Sequence, residues 1–88
     1  SGMSLDQLII ERLAPLAASE LMLNDHSALH AGHAGNTGGG HYELTIVSPH
    51  FEGLRLIERH RLVNALVADL IPQQIHALSL KAIAPSER

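Results

Sequence analysis

Cysteine is absent from the 88 residues, which excludes disulfides, thiolate nucleophiles and metal clusters held by sulfur from this chain. Tryptophan is absent as well, and one Tyr and one Phe are the only aromatics, too few for a stacking platform for single-stranded bases. No apolar run reaches the roughly 18 residues of a membrane span, and no signal-peptide pattern is visible. These absences set the expectation of a cytoplasmic protein with no membrane partner. Positive charge is short: six Lys+Arg stand against nine Asp+Glu, for a net charge of −3. A protein that grips nucleic acid through bulk electrostatics is expected to be basic, so any such role needs a local basic face. Also missing are a Ser/His/Asp ordering, a buried carboxylate pair and a dinucleotide fingerprint, and Gly38-Gly39-Gly40 lacks the Lys-Ser/Thr of a phosphate loop. The expectation is a binding module, not an enzyme.

What is present is histidine, seven in all, with His26, His30, His33 and His41 falling in one short stretch. Imidazole is the commonest metal ligand and titrates near neutral pH. At 45 % hydrophobic and 17 % charged residues, the composition is that of a globular chain, and its length suits one domain. Ser1-Gly2 ahead of Met3 reads as a tag remnant, leaving a domain over 4–85 and a frayed tail ending in 86–88.

Ser4 and Gln7 have the spacing of a capping box, and Leu5, Leu8, Ile9 and Leu13 recur at helical spacing, predicting a helix over 4–14 that Pro15 ends. A short strand is predicted around Leu21–Leu23. Residues 25–40 hold five glycines and read as a long loop, of the kind that is functional or disordered. From His41 to Ser48 the chain alternates, with Tyr42, Leu44 and Ile46 on one face, predicting a strand. Gly53 supplies backbone freedom in the following turn. A helix from about Leu54 to Leu70 would bury Leu56, Ile57, His60, Val63, Leu66, Val67, Leu70 and Ile71 as one stripe. Ile75–Ile83 is the last strand. The order α-β-β-α-β, with a right-handed crossover through the second helix, predicts an α+β fold: a three-stranded mixed sheet with both helices on one face.

Three segments resemble the BolA family: Ile46-Val47-Ser48-Pro49-His50-Phe51-Glu52-Gly53, Glu58-Arg59-His60-Arg61-Leu62-Val63-Asn64, and Ile75-His76-Ala77-Leu78-Ser79-Leu80. Upstream, His30-Ala31-Gly32-His33-Ala34-Gly35 is similar to the histidine-containing first loop of many members. The resemblance implies a fold similar to type II KH domains. It also implies partnership with a monothiol glutaredoxin, sharing a [2Fe–2S] cluster to which the glutaredoxin and glutathione bring sulfur. The family's C-terminal histidine falls on His76, and its loop ligand on His30 or His33. Two histidines on one iron would correspond to Rieske-type ligation, and neutral imidazole is the binding form. The isolated chain is expected to hold no cluster and to be a monomer or weak homodimer.

Other readings stay beside this one. His76 on an apolar strand face is also what a packing histidine looks like. The loop histidines could be solvated, or His26, His30 and His33 could form a zinc or copper site. Arg55, Arg59 and Arg61, with the free backbone N–H groups near Gly53, suit an anionic partner surface or DNA phosphate. A DNA-binding regulator using the turn and helix around Phe51–Arg61 is therefore the second functional reading. Phe51 and His60 are assigned structural roles, and Glu52 is a candidate to orient an arginine.

Overall fold

The computed structural model describes residues 4–26, 40–71 and 75–88. Helix α1 spans Leu5–Arg12. Its capping box closes as the spacing predicts: the Ser4 N–H donates to Gln7 Oε1 at 3.1 Å and the Gln7 N–H to Ser4 Oγ at 3.2 Å, satisfying donors the helix leaves orphaned. Pro15 does not end the helical path abruptly but sits inside a short 3₁₀ turn, Ala14–Leu16, where its missing N–H costs nothing. Strand β1 is Glu20–Asp25, β2 is Gly40–Val47, helix α2 is Leu56–Val67 and β3 is Ile75–Ile83. A 3₁₀ turn, Ala68–Leu70, extends α2.

The sheet order is β1-β2-β3. Strands β1 and β2 pair antiparallel, with Leu21 opposite Ile46 and Leu23 opposite Leu44, while β2 and β3 are parallel, with Leu44 opposite Leu80. This is the expected three-stranded mixed α+β sheet. Both helices pack on one face, where Ile9, Leu13, Val63 and Val67 meet Tyr42, Leu44 and Ile46 around Phe51.

Two expectations are corrected. The stripe of α2 is narrower than the predicted one: Val63, Val67 and Leu70 are buried and Leu66 packs against the core as expected, but the positions at its ends do not. Arg59, Val63 and Val67 are buried, whereas Leu56 is 64 %, Ile57 52 % and Ile71 36 % exposed. The helix begins only at Leu56, so Leu56 and Ile57 lie in its first turn, ahead of the part that covers the sheet. The C-terminal segment is not frayed: Pro85–Glu87 forms a 3₁₀ turn. Ser86 donates to Glu52 through its N–H and hydroxyl (3.0 and 2.7 Å), and Arg88 forks onto Glu20 at 3.0 and 2.6 Å. Residues 86–88 are therefore held on the domain by hydrogen bonds.

Candidate functional site

His26 and His41 lie toward the end of the sheet where β1 leaves and β2 returns, and the backbone of His76 enters β3 at the same end. Past the end of β1, the His26 N–H donates to the His41 carbonyl at 2.7 Å, which continues the ladder one rung beyond the Asp25–Tyr42 pair. On the helix side of this rim the buried Tyr42 hydroxyl donates to Asp6 Oδ1 at 2.8 Å. Burial, reinforced by the carboxylates of Asp6 and Asp25, raises the Tyr42 pKa, so the phenol stays protonated and ties the first turn of α1 to the rim. On the open side, His26 Nε2 is 3.9 Å from Glu43 Oε1, and Asn24 Nδ2 donates to the same oxygen at 3.4 Å.

His76 is the second residue of β3, and it falls where the parallel ladder breaks step. Gly40 pairs with Ile75 and His41 with Ala77, so the pairing passes over His76. Such irregularities recur next to functional sites. His30 and His33 lie outside the described residues. Among the described residues, no group of three or more His, Asp or Glu side chains gathers as a metal site; the side chains described at the rim give a histidine pair, His26 and His41, with Glu43 beside it. His41 and Glu43 carried no signal as site residues in the sequence beyond sharing a strand face, because the cross-strand register that brings His26 to them is not local information.

The three arginines do not form the expected common surface. Arg59 is only 5 % exposed and turned inward. Its Nε donates to the Leu54 carbonyl at 3.0 Å, and one terminal nitrogen reaches the Ala82 carbonyl at 3.2 Å and Glu87 Oε1 at 2.6 Å. The other terminal nitrogen reaches Glu87 Oε2 at 2.9 Å. This hydrogen-bonded guanidinium, with help from the Ala84 N–H, holds the Glu87 carboxyl at a pKa of about 2. Arg59 is thus withdrawn from any anionic partner. Arg55 is the N-cap residue of α2 and stays exposed while Arg59 is buried; its N–H donates to Glu58 Oε1 at 2.8 Å. Arg61 remains outside, lining an open groove of about 410 Å³ with Leu54, Glu58, Leu62 and Ala65. Gly53, with φ of +76°, makes the turn ahead of α2. Phe51 is fully buried and His60 half-buried. Glu52 binds Ser86 directly and bears on Arg59 only through its charge.

A three-stranded mixed sheet with two helices on one face and histidines toward one end defines a small two-layer α+β domain. The family profile of BolA-like proteins matches residues 13–87, and the chain belongs to the BolA family. It is 39 % identical over 92 residues to SufE-like protein 1, chloroplastic/mitochondrial, of Arabidopsis thaliana, covering 98 % of this chain and 24 % of that protein. The solved BolA domain of SufE1 from that plant superposes with a TM-score of 0.82 at 40 % identity, with both chains covered in full (100 % each). Protein BOLA1, chloroplastic, of the same plant is 44 % identical over 72 residues, 77 % of this chain and 45 % of the relative. The DNA-binding transcriptional regulator BolA of Vibrio cholerae is 45 % identical over 47 residues, 53 % of this chain and 44 % of the relative. The chain thus spans less than half the length of these curated relatives. No helix among the described residues is long and apolar enough to cross a membrane.

Proposed function

We propose that the chain is an iron–sulfur adaptor, a binding module and not an enzyme, that pairs with a monothiol glutaredoxin and shares a bridging [2Fe–2S] cluster with it and with glutathione. His76 and either His30 or His33 hold one iron through nitrogen, and the partner and glutathione bring the sulfur. The donor chemistry fits: the chain has no cysteine, and two imidazoles on one iron are an accepted ligand set that raises the cluster potential. The bound cluster supplies a transferable iron–sulfur unit. The observation that carries the reading is the break in the β2–β3 ladder at His76, which singles out that histidine on a sheet otherwise in regular register. The compartment proposed is the cytoplasm or an organelle of the kind named for the two Arabidopsis relatives; the ligation chemistry is the same in either.

The test is to mix the chain with cluster-loaded glutaredoxin and record visible circular dichroism. A new spectrum that is lost in His76→Ala supports the adaptor. A spectrum unchanged by the wild-type chain, or a shift that survives His76→Ala, overturns it.

The second reading is a DNA-binding regulator acting through the turn and α2, favoured by the name of the Vibrio relative. With Arg59 held by Glu87, it rests on Arg55 and Arg61. It expects a duplex affinity that falls steeply with salt and weakens in Arg61→Glu; affinity unmoved by that reversal removes it.

A further inference from the structure

The sheet order leaves β3 at one margin, and the hydrogen bonds at its end show which of its backbone groups face outward. The Ser48 N–H donates to the Ile83 carbonyl, so Ile83 faces β2, and by alternation Lys81, Ser79 and Ala77 do the same. The N–H and carbonyl groups of Leu78, Leu80 and Ala82 therefore point away from the sheet. Arg59 takes the Ala82 carbonyl from that outer side at 3.2 Å, and among the described residues no other side chain bonds to this edge. Helix α2 overhangs it. Leu62 and Leu66 follow Arg59 at positions that share its side of the helix. Leu66 and the half-buried Leu78 and Leu80 pack against the core, whereas Leu62 is 38 % exposed. The edge is little guarded: Ile75–Ile83 holds no proline, and Lys81 is its sole permanent charge. Strand β1, at the opposite margin, is shorter and carries Glu20 and Asp25 at its ends, charges of the kind that block edge pairing.

Ala77-Leu78-Ser79-Leu80-Lys81 reads nearly alike in both directions about Ser79, which suits a strand that pairs with itself. We propose that the occupant of this edge is a second copy of the chain, its β3 paired antiparallel around a two-fold axis at Ser79, doubling the three-stranded sheet. In that register Leu78 and Leu80 of each copy exchange backbone hydrogen bonds with Leu80 and Leu78 of the other. Their side chains meet on the helix face, where apolar cross-strand pairs stabilise a sheet. On the open face Ser79 meets its own counterpart, a close approach that a small side chain fits, and Lys81 lies opposite Ala77. The two Lys81 residues then stand about 13 Å apart along the strands, beyond the screening length of about 8 Å at physiological salt. The same axis turns the Leu62 side of each α2 toward the other. Pairing β3 with β1 of another copy would be heterologous and open-ended, and the carboxylates of β1 oppose it. None of the paired residues is a proposed cluster ligand, so the inference stands apart from the adaptor reading.

The test follows the full chain by sedimentation velocity and by NMR hydrogen exchange from micromolar concentrations up to about 1 mM, where even a weak dimer forms. Expected is a monomer that passes to a dimer and no further. The Leu78 and Leu80 amides should exchange fast when dilute and become protected in step with the dimer fraction, while those of Ser79 and Lys81, paired into β2, stay protected throughout. Ser79 is exposed, so Ser79→Lys and Ser79→Glu should each fold and melt like wild type yet lose the dimer, because like charges then face each other across the axis. Mixing the two variants should restore it as a heterodimer. A chain that stays monomeric over the whole range overturns the proposal. So does a dimer that leaves the Leu78 and Leu80 amides unprotected, one that persists in both Ser79 variants, a mixture that stays monomeric, or open-ended growth. Should either variant fail to fold, the exchange of the wild-type amides decides alone.

Discussion

Arg59 lies in a sequence stretch that reads as a basic patch, yet its planar fork closes on Glu87 while its remaining donors hold the carbonyls of Leu54 and Ala82. One side chain thereby joins the turn before α2, the end of β3 and the C-terminal turn. Lysine offers a point charge and no fork, so Arg59→Lys is expected to lower the melting temperature by several degrees, read by thermal circular dichroism, without changing the element content. The same pair sets an acid response. Because Glu87 in the folded protein has a pKa of about 2, below its ordinary value of 4.5, its contribution is complete above pH 4.5. It is lost as pH falls from there toward 2, where the unfolded chain takes up the proton first. Glu87→Gln should flatten that part of a stability-against-pH curve; an unchanged slope in that window would contradict the assignment. Ser48 is a second buried polar anchor, its hydroxyl donating to the Leu16 carbonyl at 2.5 Å and accepting from the His50 N–H. Ser48→Ala should cost about 1–2 kcal/mol in urea unfolding, because a buried carbonyl and an N–H lose their partner. Apart from the local Ser48–His50 and Leu54–Arg59 bonds, these partnerships join residues far apart in sequence.

At the scale of elements, the patterns that repeat within a few residues were legible, and for α2 they placed Val63, Leu66, Val67 and Leu70 correctly but not Leu56, Ile57 or the inward-turned Arg59. The period-2 run of β2 put Tyr42, Leu44 and Ile46 on the core face, where they are buried, and the capping box of α1 formed as spaced. Helix α2 carries leucine, isoleucine and valine around more than half its circumference, wider than the face that the sheet covers, so its hydrophobic pattern leaves the edges of the buried face open. The choice is made by the sheet below it and by Arg59, whose inward turn requires an acceptor 28 residues away. The consequence is testable by substitution: Ile57→Ser, on the exposed side, should leave stability within about 0.5 kcal/mol, whereas Val63→Ala, fully buried, should cost about 2 kcal/mol. Equal effects would mean that the predicted stripe, and not the observed one, faces the core.

At the scale of the whole molecule, the C-terminal residues act as a strap. Ser86, Glu87 and Arg88 reach Glu52, Arg59 and Glu20 respectively, linking three parts of the chain that are distant in sequence. Removing residues 85–88 is expected to lower the melting temperature more than Arg59→Lys does, since it takes away the Arg59 partner and two further anchors together; a truncation that melts like wild type would show the strap to be ornamental. The element order and the sheet faces were legible in the sequence alone, because hydrophobic period, turn residues and composition act over a few neighbouring positions. The tertiary structure decided which members of the α2 stripe are covered, the burial of Arg59 and the docking of the C-terminal turn, and it set His26 opposite His41. Each of these depends on which distant residues the folded backbone brings into register, a long-range property that no local pattern encodes.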